Sequence, residues 1–259
     1  MVLRMAAAMR LSRLNIMTWT ELVLSATPER GDRLAVTEVR TGEVLSYAAL
    51  SRRVTQAAAG LRRRGLRPGD RVSIDLPPGI ALLLAVHSVS WAGGVVSFAR
   101  PNGLARMAVT YNRFDAEETR PVFTVEPTPG ASTFAELYTG DSLEFGPIAG
   151  PALALGDRVL SQADLTDDLR RMAKGGMIGR GDVVLAAVSD PMRLLRLLGL
   201  ALMSGAHVVL AYEPTLIGCR VLMSEHRATV MVGPPDLGRR LAGQRGIRVV
   251  DEMVFSQRP

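Results

Sequence analysis

The sequence predicts an α/β protein built from two related, mostly parallel sheets with flanking helices. Three observations predict this. First, residues 45–101 and 160–214 carry one pattern twice. The first copy reads Leu45-Ser46-Tyr47-Ala48-Ala49-Leu50, then Pro68-Gly69-Asp70-Arg71-Val72, then Ala92-Gly93-Gly94-Val95-Val96. The second reads Leu160-Ser161-Gln162-Ala163-Asp164-Leu165, then Arg180-Gly181-Asp182-Val183-Val184, then Ser204-Gly205-Ala206-His207-Val208-Val209. Gly69, Asp70, Val72 and Gly93 recur 112 residues later as Gly181, Asp182, Val184 and Gly205. An ordered repeat of this kind means two copies of one supersecondary unit. Second, helical patterns alternate with short β-compatible runs. Third, those runs are apolar throughout, as in parallel strands covered on both faces.

The elements follow in order. Ser46 is suited to cap a helix that runs to Arg64, and Gly65 supplies its stop. Arg71 to Leu76 reads as a strand after the Pro-Gly-Asp turn. Gly79 to Ala92 reads as an apolar helix and Gly94 to Phe98 as a strand. Leu104 to Glu118 is expected to be a further helix, followed by a strand from Pro121 to Val125. In the second copy the corresponding pieces are a helix from Ile217 to His226 and a strand from Ala228 to Val232. Glu126 to Val159, with its Pro- and Gly-rich turns, reads as a connector with room for a short hairpin. Residues 247–255 are expected to form a last strand, and Ser256 to Pro259 a frayed end. The organisation is an N-terminal extension (1–17), a first subdomain with the connector (18–147) and a second subdomain (148–259).

Composition narrows the function. The chain has 259 residues, 47% hydrophobic and 22% charged, enough for a sizeable core. The net charge of +6 comes from 31 basic residues, of which Lys174 is the single lysine. Arg62-Arg63-Arg64 and Arg170-Arg171 read as solvated helix faces. Few aromatics accompany them, so specific nucleic-acid binding is not expected. One cysteine, Cys219, fits a reducing compartment and a cytoplasmic location. Three scattered histidines, His87, His207 and His226, make no metal site. Residues 76–99 lack any charge, yet Pro77-Pro78 and Gly93-Gly94 break them, so a buried helix and strand fit better than a membrane span. The apolar part of residues 1–16 is short for a signal-peptide core, and Met17 is an alternative start.

Trp19 to Gly233 resembles the N-terminal part of the adenylate-forming enzymes: acyl-coenzyme A synthetases, 4-coumarate ligases, luciferases and peptide-synthetase adenylation domains. The echoes are Leu45 to Leu50, Gly65-Leu66-Arg67-Pro68-Gly69-Asp70-Arg71-Val72, and Trp91-Ala92-Gly93-Gly94-Val95-Val96. Pro101-Asn102, Gly181-Asp182-Val183-Val184, Gly205-Ala206-His207-Val208-Val209 and Val232-Gly233-Pro234-Pro235 complete the series. The resemblance covers about the first half of a typical member. It implies the large N-terminal domain of that family, shortened, with ATP, magnesium and coenzyme A as the family's cofactors.

That family carries a phosphate loop, Thr-Ser-Gly-Thr-Thr-Gly-x-Pro-Lys-Gly, just before the second copy. Glycines let backbone approach the phosphates, hydroxyls donate hydrogen bonds and the lysine adds charge. The matching positions here are Ile148, Ala149, Gly150, Pro151, Ala152, Leu153, Ala154, Leu155, Gly156 and Asp157. Only Gly150 stays in register. The hydroxyls are gone, Gly156 stands at the lysine position, and Pro151 lacks a backbone donor. Leu194 stands where the family often has a histidine near the acyl pocket. Tyr138-Thr139-Gly140-Asp141 matches the ribose-binding motif by chance, being out of order. Asp167-Asp168 reads as acids near a helix start, His87 and His207 as packed side chains, and Lys174 as a surface residue. No Gly-x-Ser-x-Gly elbow is present.

The expectation is a catalytically inactive relative that acts by binding, with no catalytic residues and no cofactor. Its partner would be another protein, a second copy bound through the surface a missing lobe leaves, or an acyl or coenzyme A-like ligand. The alternative is half of a split acyl-coenzyme A ligase whose partner chain supplies ATP binding and catalysis.

Overall fold

The computed structural model describes residues 17–98, 105–112, 120–142, 148–212, 214–241, 243 and 246–256. The chain opens with two short helices, α1 (Trp19–Val23) and α2 (Thr27–Arg30), and a hairpin, β1 (Leu34–Glu38) and β2 (Val44–Ser46). Then come α3 (Tyr47–Arg63), β3 (Arg71–Asp75), α4 (Ile80–Trp91), β4 (Val95–Ser97), β5 (Ala105–Thr110), β6 (Val122–Thr124) and β7 (Ser132–Thr133). A 3-10 turn, Phe134–Tyr138, leads to a second hairpin, β8 (Pro151–Leu155) and β9 (Arg158–Ser161). The second copy follows as α5 (Gln162–Ala173), β10 (Val183–Ala186), α6 (Pro191–Met203) and β11 (His207–Leu210). It ends with α7 (Leu216–Glu225), β12 (Val230–Gly233), α8 (Pro235–Leu241), β13 (Arg248–Asp251) and a 3-10 turn, Glu252–Phe255.

The strands form two sheets. Sheet A has the order β13-β12-β10-β11-β1-β2 and sheet B the order β7-β6-β5-β3-β4-β8-β9. All pairings are parallel except within the two hairpins. Each hairpin belongs to the other copy's sheet. β1 lies beside β11, with Val36 opposite Val208, while β8 lies beside β4, with Val96 opposite Leu153. The two copies are therefore stitched together by exchanged hairpins.

Sheet A is buried on both faces, which explains its continuous apolar strands. Val184 and Ala186 of β10 face the main core, and Leu185 between them faces a second core. Cys219 and Met223 of α7 and Leu241 of α8 close that second core over Val209 and Met231. The main core is the layer of helices between the sheets. α4 touches β3 and β4 of sheet B and β1 of sheet A. A helix enclosed in this way must be apolar on every side. Its uncharged run, Ile80 to Ser90, is buried except for Ala81. This accounts for the uncharged stretch in the sequence, and among the described residues no helix is long and apolar enough to cross a membrane.

Caps set the helix starts, at Ser46 as expected. Ser46 Oγ accepts from Ala49 N–H, and Ser161 forms a reciprocal capping box with Asp164. Three expectations need correction. Residues 105–110 are a strand, β5, not part of a helix over 104–118; Met107, Ala108, Val109 and Thr110 are all buried and pair with β3. Residues 113–119 and 99–104 lie outside the described residues. β5 thus holds the place in sheet B that β12 holds in sheet A, and β6 the place of β13. The connector is also more ordered than expected, because the hairpin 151–161 builds the edge of sheet B. At the end of the chain, β13 stops at Asp251 and a 3-10 turn follows; Ser256 is held by Arg193 (Nε to Oγ, 3.0 Å) rather than frayed. Residues 257–259 and 1–16 are outside the description.

Candidate functional site

In parallel α/β sheets, ligands bind outside the carboxyl ends of the strands. The segment matching the phosphate loop reaches that edge of sheet B. Ile148, Ala149 and Gly150 run up to the sheet, and Ile148 packs against Gly93. Pro151, Ala152, Leu153, Ala154 and Leu155 are β8 itself, and Ala152, Leu153 and Ala154 are buried. Leu155 pairs with Arg158, so only Gly156 and Asp157 remain as the turn. Gly156 has φ +57, which suits the first central position of a tight hairpin turn.

This geometry bears on phosphate binding. β8 pairs with β4 on one side and β9 on the other, which commits its backbone to the ladder. A phosphate cradle needs several free N–H groups converging on one point. Here the turn has two residues, carries no hydroxyl or lysine, and presents the Asp157 carboxylate. ATP does not fit this segment as it is folded.

The carboxyl edge of sheet A is filled from within. Glu38 ending β1 and Arg40 beyond it, Ala186 ending β10 and Val188 beyond it, Leu210 ending β11 and Tyr212 beyond it, with Pro78 and Leu194, line a partly open cleft of about 10 Å³. That is room for about one water. Glu38 is buried, and its Oε2 accepts from Ile80 N–H (3.1 Å) at the start of α4. Gly79 is needed beside it, since a Cβ there would lie 2.9 Å from Glu38 Oε1. Arg40 Nη2 lies 3.4 Å from Glu38 Oε1. The Arg40 guanidinium also stands 5.6 Å from the Tyr111 ring and 5.8 Å from the Tyr212 ring. Sequence reasoning missed this group, and the residues give only one signal for it, a strand ending in an acid and a base.

Beyond β13 the same edge is sealed again. Arg193 Nη1 reaches Glu252 Oε1 (2.9 Å). Arg196, buried on α6, makes a bidentate pair with Asp168 (2.7 and 2.8 Å) and donates to Phe255 O (2.6 Å). This corrects the reading of Asp167-Asp168. The pair lies mid-helix in α5, where Asp168 neutralises a buried arginine; the acid of the first turn is Asp164.

The remaining candidates are structural. His87 Nδ1 is 3.0 Å from Thr20 Oγ1, and its ring packs on Trp19 at 4.7 Å. Burial lowers its pKa to about 3, so it is neutral. Gln162 joins the same junction, accepting from Trp19 N–H and donating to Ser90 Oγ. His207 lies 2.9 Å from Thr37 Oγ1, and burial lowers its pKa to about 4. Leu194 is buried at the rim of the small cavity, and Lys174 is an exposed C-cap. Tyr138 packs on Phe134, Thr139 donates to Glu136 O, and the Asp141 carbonyl accepts from Arg63. The Arg63 contact ties the end of this segment to α3. Among the described residues no group of His, Cys, Asp and Glu could hold a metal.

Comparison with known proteins agrees with this scaffold. Residues 25–118 match the family model of the AMP-binding enzymes. Over this stretch the chain is similar to the AMP-binding enzymes. It is 28% identical to Triostin synthetase I of Streptomyces triostinicus over 207 residues, covering 75% of this chain and 38% of that protein. It is 40% identical over 85 residues to the Salicyl-AMP ligase / salicyl-S-ArCP synthetase of Mycobacterium tuberculosis, covering 31% of this chain and 15% of that protein. In fold it matches apo MbtA of Mycobacterium smegmatis with a TM-score of 0.77 at 22% identity, covering 90% of this chain and 51% of that one. It also matches the N-terminal domain of FACL13 from Mycobacterium tuberculosis with a TM-score of 0.69 at 13% identity, covering 88% of this chain and 65% of that one. The chain thus has the fold of the N-terminal domain of this adenylate-forming family. It spans well under half the length of the curated relatives and half to two-thirds of these structures.

Proposed function

We propose that this AMP-binding relative does not adenylate on its own and acts by binding, to another protein or to an acyl or coenzyme A-like ligand. The observation that carries this reading is the hairpin at 151–161. Where the family has a ten-residue phosphate loop, the strand register leaves a two-residue turn between backbone groups already paired in the sheet. The scaffold around it keeps two packed sheets and a filled core. Retained packing beside a closed phosphate segment favours a binding role over catalysis.

A second reading is half of a split acyl-coenzyme A ligase, with ATP binding supplied by a separate chain. What favours it is the similarity of the chain to a salicyl-AMP ligase and to other synthetases. One assay separates the two. Pyrophosphate release is measured with a broad panel of carboxylic acids, first on the purified chain and then with any protein that co-purifies from the source. We expect no release above background from the chain alone. ATP-dependent adenylate formation by the chain alone would overturn the binding reading, and release only in the mixture would establish the split enzyme.

A further inference from the structure

We propose that the mouth of the sheet A crevice is a cation site that the chain fills with its own Arg40, and that this side chain is a clasp holding the crevice shut. The site has two aromatic faces and the buried Glu38 carboxylate, with Glu126 hydrogen-bonded to Tyr111 beside it. Tyr111 follows β5 of sheet B, and Tyr212 follows β11 of sheet A. The guanidinium carbon of Arg40 lies within 5.6 and 5.8 Å of their ring centroids, inside cation–π range. Glu38, 5% exposed, faces the same group at 3.4 Å. A flat, delocalised cation between two rings and beside a carboxylate is the arrangement that suits guanidinium.

Two consequences follow from the positions of these residues. The rings belong to different sheets, so the occupant ties the carboxyl edges of A and B together. The carboxylate behind it is also dependent on an occupant. Take Arg40 away and a nearly buried Glu38 keeps the Ile80 N–H but loses its cation, a costly state for a desolvated charge. The site therefore prefers to be filled. With Arg40 as one of its walls the cleft holds about 10 Å³, too small for a ligand. Its apolar walls include Ala186, Val188, Leu194 and Leu210. The ligand class able to replace the clasp is a small planar cation, a guanidinium or amidinium on a short apolar stem. Anions are disfavoured by Glu38. The proposal stands whether or not the chain forms adenylates, since none of its residues belongs to the phosphate segment 148–157.

The test uses Arg40→Ala with methylguanidinium as the probe and thermal unfolding as the readout. The variant is expected to melt about 2–4 °C below the parent. Millimolar methylguanidinium is expected to restore that loss in Arg40→Ala. It should leave the parent and the Arg40→Ala/Tyr212→Ala double variant unmoved. If Arg40→Ala melts like the parent, or the probe shifts the single and double variants alike, the proposal is overturned. Should Arg40→Ala fail to fold, Arg40→Gln is titrated in the same way with the same deciding outcomes. Pyrophosphate release is unaffected by either result, so failure here is distinct from failure of the binding reading.

Discussion

At the scale of single residues, the polar groups inside this molecule are there to join helices. Arg196 is buried on α6 and neutralised by Asp168 of α5, which fixes the angle between the two helices. His87 sits on α4 between Trp19 of α1 and the Gln162 junction of α5. Its neutrality has a measurable effect. The unfolded imidazole takes up a proton below about 6.5, while the folded one stays neutral down to about 3 because burial penalises the charge. The unfolded state therefore binds the extra proton in that window. The stability is fully present above pH 6.5 and declines as pH falls towards 3, by about 1.4 kcal/mol per pH unit for one such group. His207, lowered to about 4 for the same reason, acts in the same direction. Urea titrations between pH 5 and 6 should show this slope, and His87→Asn should remove one proton's share of it. An unchanged slope in the variant would rule out the buried, neutral histidine.

Among the elements, helix α3 shows how a locally unfavourable residue serves packing. Gly60 lies inside α3, where glycine costs about 1 kcal/mol relative to alanine. A Cβ there would stand 2.8 Å from the Leu137 carbonyl oxygen, so the gap admits the 3-10 turn 134–138 against the helix. Gly60→Ala should destabilise the protein by about 1–2 kcal/mol despite the gain in helix propensity. The check is a lowered urea midpoint with an unchanged slope. A raised midpoint would mean that the turn yields freely. Elements were legible in the sequence where a local signal was strong. Ser46 and the Pro-Gly-Asp turn marked starts correctly, and the absence of charge over 76–99 marked α4 as enclosed. β5 was misread because Met107 to Thr110 fits a helix as well as a strand when judged by local pattern. Its pairing with β3 decided the matter, and that contact is distant in sequence. Likewise, the hairpin at 151–161 could be seen to lack phosphate chemistry, but not that its backbone was already engaged in a sheet.

For the whole molecule, the exchange of hairpins is the governing fact. β1 and β2 precede the first copy yet complete sheet A, and β8 and β9 precede the second copy yet complete sheet B. Neither copy can satisfy its own sheet edge or cover α4 alone. Unfolding should therefore be one transition, with fluorescence of Trp19 and Trp91 in the shared helical layer coinciding with far-UV circular dichroism. Two separated transitions would show that the copies are independent units. The doubled pattern in the sequence revealed that there are two copies. It could not reveal the exchange, because both arrangements put the same residues in the same order. The candidate site was legible by half. The phosphate segment could be located by counting from Leu160-Ser161, whereas the Glu38–Arg40 pair, Tyr111 and Tyr212 lie far apart in the chain and meet only when the sheets align.

The enclosure of α4 also sets a schedule for synthesis. As the chain leaves the ribosome, Ile80 to Trp91 emerges well before β8 and the helix α6 that packs into the same layer. At translation speeds of about 5–20 residues per second, this uncharged helix waits for several seconds to tens of seconds without its cover. During that interval it is a hydrophobic segment of the kind that chaperones grip and that aggregates otherwise. Slowing initiation, lowering the growth temperature or supplying holdases should therefore raise the soluble yield more than any substitution on the finished surface.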